Sequence, residues 1–311
     1  MKILLTGGAG FIASNIADAY LEDGHQVAII DNFETGFREN IPSRARFFEC
    51  DIRDNEAVGR AFDEFAPDVV SHHAAQLDVR KAVSDPAYDA DINILGSLNV
   101  LLHASRTGAK RLIFSSSGGA CYGEPQFLPV TEAHPVAPES PYGLTKFAFE
   151  HYLRIWSNLH PFSYVVLRYA NIYGPRQTAH GEAGVVAIFA GLLLDNKSCK
   201  IFGDGSMTRD YVYVGDVVQA NRLALTKGDN SVINIGTGIE TSTREVFQSV
   251  RQSVAVGPEQ PELLPERPGE VHNICLDNAF AEKSLGWKPQ VDFRAGVAKT
   301  VEWQKSRHQQ G

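Results

Sequence analysis

The chain has 311 residues, of which 43% are hydrophobic and 21% are charged, and its formal net charge is −8. That length is enough for one large α/β unit or for two lobes with an ample core, and the composition is ordinary for a globular enzyme. Because an acidic chain binds nucleic acid poorly, we expect no nucleic-acid partner, and an anionic substrate would have to be held by local arginines.

The first predicted unit is a strand, a glycine turn and a helix. An apolar run leads into Gly7, Gly8 and Gly10, and a helical pattern starts at Phe11. Glycines let the backbone bend sharply here and let a diphosphate approach bare N–H groups at the helix N-terminus. We predict a dinucleotide site, with a tight turn that binds nothing as the alternative.

The second predicted strand, 26–31, ends in Asp31. An acidic residue at this spacing after a glycine turn is typical of one that hydrogen-bonds the adenosine ribose hydroxyls. Its charge would repel a 2′-phosphate, so the pattern favours NAD over NADP.

Strands and helices continue to alternate up to about residue 170. Further strands are predicted at 46–51, 68–72, 110–116 and 163–169, and helices at 55–65, 87–107 and 141–158. This alternation predicts an α/β fold, a Rossmann-type doubly wound parallel sheet with helices on both faces. Ligands of such sheets bind at the carboxyl ends of the strands.

The elements beyond residue 171 are shorter, and runs at 212–213 and 232–235 are predicted as strands that return to the first lobe or border it. We therefore predict two lobes. Residues 1–171 with about 211–236 would bind the dinucleotide. Residues 172–210 and 237–311 would form a smaller, interleaved α/β lobe for the substrate.

Tyr142 and Lys146 lie four residues apart in a predicted helix, which places them on one face. An ammonium near a phenol lowers the pKa of the phenol, so Tyr142 is a candidate general base. Ser115, Ser116 and Ser117 end a predicted strand, and periodicity does not tell which hydroxyl points inward. A surface Tyr–Lys pair and a turn serine remain the alternatives.

Arginines in the second half of the chain are candidate phosphate ligands, because guanidinium forks suit phosphate oxygens. They are Arg168, Arg176, Arg209 and Arg267. Solvated surface arginines are the alternative for one or two of them.

Spacing offers neither a metal site nor a disulfide pattern. His72 and His73 have no third ligand at suitable spacing, so we expect packing residues and no metal. Cysteines at 50, 121, 199 and 275 form no CxxC pair, which favours reduced thiols in a cytoplasmic protein.

The chain begins directly with a strand pattern, and its longest apolar run, 185–194, is too short to span a bilayer. We expect no signal peptide and no membrane partner.

Together the motifs resemble the extended short-chain dehydrogenase/reductase family. TGGAGFIA near the start, a serine-ended strand before GGACYG, and YGLTK at 142–146 carry this resemblance. RYANIYGPRQ, FGDGSMTRDYVYVGDV, NIGTG and RPGE, in that order, are similar to the UDP-glucose 4-epimerase branch of nucleotide-sugar enzymes. The resemblance extends over essentially the whole chain and implies an NAD cofactor and a UDP-sugar substrate.

The resemblance also implies roles for individual residues. Tyr142 would be the catalytic base, Lys146 would bind the nicotinamide ribose, and Ser117 would share a proton with the substrate. Among the implied cofactor contacts, Asp51 and Ile52 would flank the adenine, and Ala74 and Ala75 would line the diphosphate. The other implied cofactor contacts are Gly7, Gly10, Phe11, Ile12, Asp31, Asn32, Asn93, Ser115, Tyr142 and Lys146. The implied substrate contacts are Ser117, then Asn171, Arg209 and Arg267 at the diphosphate, Lys200 and Phe202 at the uracil, and Glu270, where the family commonly has aspartate, at the ribose.

One departure bears on the reaction. Dehydratases and decarboxylases of this group resemble one another in an acidic residue directly after the catalytic Ser/Thr, whereas Gly118 and Gly119 follow Ser117. We therefore predict an NAD-dependent isomerase that inverts C4 of a UDP-hexose, UDP-glucose/UDP-galactose, through a transient 4-keto sugar. The alternatives are a nucleotide-sugar reductase or dehydrogenase, a noncatalytic NAD-binding regulator, and an epimerase of UDP-N-acetylhexosamines or UDP-uronic acids.

Two further expectations rest on the resemblance. Relatives often form homodimers through helices that correspond to 87–107 and 141–158, and both stretches carry apolar side chains. In relatives, bulk at the position seven past the RPG arginine limits N-acetylated sugars. That position is Ile274, which leaves the sugar open.

Overall fold

The computed structural model describes residues 1–178, 184–266 and 271–308. The strands in these ranges are β1 (Lys2–Thr6), β2 (Gln26–Asp31), β3 (Arg46–Glu49), β4 (Val69–His72), β5 (Arg111–Ser117), β6 (Ser163–Tyr169), β7 (Asn171–Tyr173), β8 (Lys200–Phe202), β9 (Thr208–Arg209), β10 (Tyr211–Tyr213), β11 (Ser231–Ile235), β12 (Thr241–Ser242) and β13 (Glu262–Leu264). The helices are α1 (Phe11–Glu22), α2 (Asn55–Phe65), α3 (Val79–Ser84), α4 (Pro86–Ala90), α5 (Ser97–Arg106), α6 (Gly118–Cys121), α7 (Pro141–Leu159), α8 (Val185–Leu194), α9 (Val214–Ala224), α10 (Thr243–Val254), α11 (Ala279–Leu285) and α12 (Phe293–His308). A 3₁₀ turn (Arg38–Asn40) and a π-helical turn (Asp91–Gly96) complete the regular structure of these ranges.

Within the described residues, seven parallel strands form the central sheet in the order β3-β2-β1-β4-β5-β6-β11. The strand order reverses at β1, because Thr6 is in register with Ile30 of β2 on one side and with His72 of β4 on the other. From β1 the chain continues to β2 on one side, and from β4 it continues to β5 on the other side. These diverging connections leave a crevice at the carboxyl ends of β1 and β4.

Both faces of the sheet are buried, which is why its strands are nearly continuous apolar runs. On one face, Ile3 and Leu5 pack with Tyr20 of α1. On the other, Leu4 packs with Phe62 of α2 and with residues of α5 and α7. The helices are therefore fixed on a rigid sheet whose carboxyl edge stays open.

A second apolar core lies outside the sheet, where α8, α10 and α12 pack on β8 and β10. Short strands pair nearby, β7 with β10, β9 with β12 and β8 with β13. This part contacts α1 through Asn15 Nδ2, which donates to Pro175 O at 3.2 Å, and through Arg176, which binds Asp18 at 2.6 Å.

The predicted α/β class and doubly wound parallel sheet are confirmed. The predicted return of 232–235 is also confirmed, since β11 extends the sheet beside β6. The run 212–213 belongs to β10, which pairs with β7 outside the large sheet. The helix predicted at 87–107 is confirmed, since the backbone stays helical from α4 through the π-helical turn to α5, but the π-helical turn itself was not predicted. Apolar periodicity alone does not reveal such a widened turn.

In the described part of the chain, every helix is too short or too polar to cross a lipid bilayer.

Candidate active site

The glycine turn between β1 and α1 lies at the crevice. Gly7 has a φ of +68°, and a Cβ there would lie 2.8 Å from Ala74 N, so both conformation and space require glycine. Gly10 caps α1 without a side-chain hydrogen bond, which leaves the first N–H groups of the helix without a side-chain acceptor. Phe11 and Ile12 are the first two residues of α1. Unused donors and the positive end of a helix dipole are suited to a diphosphate.

Asp31 ends β2 next to this turn. Its Oδ2 accepts a hydrogen bond from Ala9 N at 2.9 Å, and its Oδ1 accepts one from Phe33 N at 2.8 Å. Burial raises the pKa of Asp31 above its usual value, although these backbone hydrogen bonds oppose that shift. Each carboxylate oxygen retains a second acceptor position, as recognition of two ribose hydroxyls requires.

Two predicted adenine-side residues lie together. Asn32 Nδ2 donates to Asp51 Oδ2 at 2.8 Å. Arg53, which the sequence pattern does not identify, binds the same carboxylate through Nη2 at 2.8 Å and Nε at 3.0 Å. Hydrogen bonds from Arg53 hold the pKa of Asp51 below its usual value. Ile52 is buried against Gly96.

The loop after β4 closes the other side of the glycine turn. Ala74 N donates to Thr6 Oγ1 at 3.1 Å, and Ala75 follows. Asn93 is buried and exchanges two hydrogen bonds of 2.9 Å with the backbone of Gln76. Asn93 therefore holds this loop in place. Thr6 and Gln76 were not predicted, since their partners are distant in the chain.

Tyr142 and Lys146 lie on consecutive turns of α7. Ser140 caps this helix by accepting Gly143 N at 3.1 Å. The Ser117 side chain lies near the Tyr142 hydroxyl, close enough to lower its pKa. Lys146 Nζ donates to Ser115 O at 2.9 Å and lies 6.0 Å from the centroid of the Tyr142 ring. The structure thus joins the predicted serine, tyrosine and lysine at the carboxyl end of β5.

Burial shifts the pKa values of both groups. It raises the pKa of Tyr142 well above its usual value, and the nearby Ser117 side chain partly opposes this. It lowers the pKa of Lys146 to about 8, against the raising effect of Cys121, Asp89 and Glu150. Burial therefore outweighs the lowering of the Tyr142 pKa that the spacing of Tyr142 and Lys146 predicted. A charged Lys146 would oppose burial and favour the phenolate that a general base requires.

Arg168 differs from both expectations, since it is neither free for phosphate nor on the surface. It is 4% exposed and forms a bidentate ion pair with Glu150, in which Nη2 lies 2.6 Å from Oε2 and Nε lies 3.0 Å from Oε1. Its Nη1 donates to the Tyr122 hydroxyl at 2.8 Å. The strand alternation of β6 turns this side chain inward, towards α7.

The predicted diphosphate ligands Asn171 and Arg209 lie on neighbouring short strands. Asn171 N donates to Asp210 O at 2.9 Å, which places Arg209 beside β7. Arg209 Nη1 donates to the carbonyl of Thr208 at 2.8 Å, and its partly exposed fork retains further donors. The carboxylate of Asp210, which the sequence pattern does not identify, accepts Thr237 N and Leu276 N and fixes this edge.

The remaining predicted substrate contacts are partly described. Lys200 and Phe202 lie on β8 with their side chains on one face, and Lys200 is exposed. Arg267 and Glu270 lie outside the described residues. Ile274 is 3% exposed and packs with Tyr122, Val130 and Leu276.

His72 is a buried packing residue. Its Nδ1 lies 2.6 Å from Thr6 Oγ1 and its Nε2 lies 2.8 Å from Ser97 Oγ, and burial holds its pKa well below the usual value. His73 stacks on Tyr169. Over the ranges that the structure describes, no group of three His, Cys, Asp or Glu side chains could hold a metal ion.

Comparison with known proteins gives consistent matches over the whole chain. Residues 3–236 match the model of the NAD dependent epimerase/dehydratase family. A UDP-glucose 4-epimerase from Mycolicibacterium smegmatis is 44% identical over 315 residues, which cover 99% of this chain and 100% of the relative. The crystal structure of a UDP-glucose 4-epimerase from Thermotoga maritima with UDP-glucose is 45% identical, with a TM-score of 0.97 and coverage of 99% and 100%. A Thermus thermophilus UDP-glucose 4-epimerase in complex with NAD is 44% identical, with a TM-score of 0.93 and coverage of 98% and 99%.

Proposed function

The chain belongs to the NAD dependent epimerase/dehydratase family, and from that premise we propose that it is a UDP-glucose 4-epimerase-like isomerase that interconverts UDP-glucose and UDP-galactose. The observation that carries this reaction is that Ser117, Tyr142 and Lys146 lie together at the carboxyl end of β5. Glycines 118 and 119 follow Ser117, so an acid that would catalyse elimination is not in that position.

The cofactor is NAD, and the residues of this chain fit it. The turn at Gly7 and Gly10 offers unused N–H groups to the diphosphate. The carboxylate of Asp31 would accept the adenosine ribose hydroxyls and repel a 2′-phosphate. Lys146 would bind the nicotinamide ribose. NAD supplies a hydride acceptor that takes the hydrogen from C4 and returns it to the opposite face.

The chain's own residues handle the proton and the orientation. Tyr142 would take the proton of the 4-hydroxyl, directly or through Ser117 Oγ, as the C4–H bond breaks. It would return that proton to O4 when the bond forms again on the other face. Inversion requires the 4-keto sugar to turn over while its nucleotide stays bound. Asn171 and Arg209 would hold the diphosphate during that turn.

The same proposal assigns the two lobes. Residues 1–171 with about 211–236 would bind NAD, and 172–210 with 237–311 would bind the nucleotide sugar. Lys200 and Phe202 of β8 are proposed at the uracil, and the lobes meet at the crevice beside β1.

The test is direct. Purified protein is incubated separately with UDP-glucose, UDP-galactose and their N-acetyl counterparts, without added NAD, while NADH absorbance is followed and products are resolved by chromatography. We expect UDP-glucose and UDP-galactose to interconvert with no net NADH. In parallel incubations with added NAD or NADH, net formation of NADH would favour the dehydrogenase and net consumption of NADH the reductase. Conversion of the N-acetyl pair alone would change the substrate.

We also propose a cytoplasmic homodimer. Apolar side chains on the outer surface of α5, α7 and the adjoining π-helical turn are 42–69% exposed, and α7 packs directly on that turn. They are Leu95, Leu102, Leu144, Tyr152, Ile155 and Leu159. A patch of this kind is typical of a subunit interface. The four free cysteines support the cytoplasmic location.

A further inference from the structure

A buried carboxylate lies behind the catalytic helix. Asp89 of α4 has no exposed surface, and its Oδ2 accepts the Thr145 hydroxyl at 2.7 Å. Its Oδ1 accepts Gln76 Nε2 at 2.9 Å and Asn93 Nδ2 at 3.0 Å. These donors are neutral, whereas a buried carboxylate is usually stabilised by a cation.

The donors belong to two parts of the candidate site. Thr145 lies between Tyr142 and Lys146 on α7, so its hydroxyl fixes the turn that carries both groups. Gln76 follows Ala75, in the loop that packs against the glycine turn at Gly7. Asp89 is thus a junction between the cofactor loop and the catalytic helix.

Asp89 also acts on the catalytic groups through its charge. It is among the groups that raise the pKa of Lys146, and it raises the pKa of Tyr142 as well. Without the Asp89 charge, burial would lower the pKa of Lys146 further, and Lys146 would release its proton at a lower pH. The other charges that couple to Lys146 are Glu150 on α7, Cys121 on α6, His72 at the end of β4 and His73 directly after it. Tyr142 lies on the preceding turn of α7, and Arg168 of β6 pairs with Glu150. The elements packed on α7 also carry Arg80 and Lys81 on α3 and Asp91 in the π-helical turn, where Lys81 pairs with Glu34 and Asp91 with Arg53.

We propose that Asp89 is a positioning residue of the epimerase reaction, whose buried carboxylate joins the cofactor-binding loop to the catalytic helix. The assignment rests on the proposed roles of Tyr142 and Lys146. Asp89 would act in two ways, through its hydrogen bonds to Thr145 and Gln76 and through the effect of its charge on Lys146.

Two variants of the full-length holoenzyme separate these effects. Asp89→Asn keeps the shape and removes the charge. We expect kcat to fall roughly 10- to 100-fold, NAD retention on gel filtration to fall, and the alkaline limb of the kcat profile to move roughly half to one unit to lower pH. Thr145→Val removes one hydrogen bond and keeps the charge, so kcat and NAD retention should fall while the alkaline limb stays in place.

The matched control is Asp63→Asn, because Asp63 on α2 pairs with Arg106 at the surface and its side chain is 58% exposed. This variant should match wild type in NAD retention and in its pH profile. A folded Asp89→Asn protein with wild-type NAD retention and alkaline limb would overturn the proposal. If Asp89→Asn does not fold, wild-type kcat and NAD retention in Thr145→Val would overturn it instead.

NAD retention needs no sugar substrate and therefore separates the two proposals. If the wild-type protein converts no UDP-sugar, the epimerase assignment fails. If Asp89→Asn then still loses NAD while wild type retains it, the structural role of Asp89 between the cofactor loop and α7 is supported nonetheless.

Discussion

Three adjacent serines end β5, and strand alternation places them in different environments. Ser116 is 3% exposed and donates to Glu150 Oε1 at 2.6 Å, on the buried side. Ser115 and Ser117 turn the opposite way and are half-exposed. Ser117 reaches Tyr142, and the carbonyl of Ser115 holds Lys146. The order of the residues in the strand therefore separates the Ser117 hydroxyl, which is proposed to react, from the structural hydroxyl of Ser116.

Removal of either reactive hydroxyl should greatly slow the chemical step. We expect Tyr142→Phe and Ser117→Ala each to lower kcat for UDP-galactose by ~10²–10⁴-fold, the range for loss of a positioned acid–base group. Tyr152→Phe and Ser157→Ala on the outer part of α7 are the controls and should retain wild-type kcat. Wild-type turnover by the double variant Tyr142→Phe/Ser117→Ala would refute the assignment.

NAD retention should depend on pH through Asp31. The charged carboxylate accepts ribose hydroxyls, and protonation replaces an acceptor with a donor. Because burial raises the pKa of Asp31, NAD should be retained at neutral pH and lost as the pH falls, starting above the ordinary aspartate pKa of about 4. Bound NAD after gel filtration across this range is the measurement.

Asp31→Asn should retain less NAD at neutral pH and show no titration in this range. Glu56→Gln, on a side chain that is 90% exposed, should behave as wild type. An unchanged pH dependence in Asp31→Asn would assign the effect to another group.

At the scale of elements, α7 is fixed to the sheet beneath the reactive groups. Glu150 follows Lys146 by one turn and pairs with Arg168 of β6, with both side chains 4% exposed. Tyr122 extends this network from the turn that follows Ser117 to Asn234 of β11. The ion pair therefore connects the catalytic helix to the strands whose ends carry the site.

Breaking this pair on one side should be costly. Arg168→Met leaves a buried, unpaired carboxylate, and we expect a loss of about 3–5 kcal/mol in the free energy of unfolding. Arg168→Met/Glu150→Leu should recover much of that loss, because it leaves no uncompensated charge. Denaturant unfolding measures both. For comparison, Arg38→Ala removes an exposed pair with Glu49 and should cost less than about 1 kcal/mol.

A double variant less stable than Arg168→Met would show that the pair contributes through packing rather than through its charges.

The sequence predicts those parts of the site that depend on short-range patterns. The glycine turn, Asp31 at the end of its strand and the four-residue spacing of Tyr142 and Lys146 are all local features. Asp89 and Arg168 were not predicted in their observed roles, because their partners lie many residues away. Arg168 pairs with Glu150 only after β6 and α7 have packed, and no periodicity encodes that contact.

At the scale of the whole molecule, the part of the chain that packs around α8, α10 and α12 contacts the sheet-bearing part near α1. Asn15 and Asp18 of α1 contact Pro175 and Arg176, and Arg307 of α12 binds Glu39 after β2. These contacts bring the proposed sugar-binding lobe next to the proposed cofactor site. The outer face of α7 remains apolar and exposed on this molecule.

A charge in that apolar face should prevent dimerisation. We expect Ile155→Glu, at a residue that is 47% exposed, to change the sedimentation coefficient from that of a dimer to that of a monomer. Ile239→Glu places the same charge at a residue that is 64% exposed and lies outside α5 and α7, and it should remain dimeric. A monomeric wild type, or a dimeric Ile155→Glu protein, would contradict the proposed interface.

The position of β11 has a consequence for synthesis on the ribosome. β6 is the last strand of the first run of alternating elements, and its outer neighbour is encoded roughly 65 residues later. At about 5–20 residues per second, several seconds pass between emergence of the two strands. During that interval the nascent sheet has an open edge along β6, which is a template for pairing with another unfinished chain. Growth of the polypeptide therefore determines when β6 gains its neighbour, after which β11, with α11 packed on it, is the edge strand on that side.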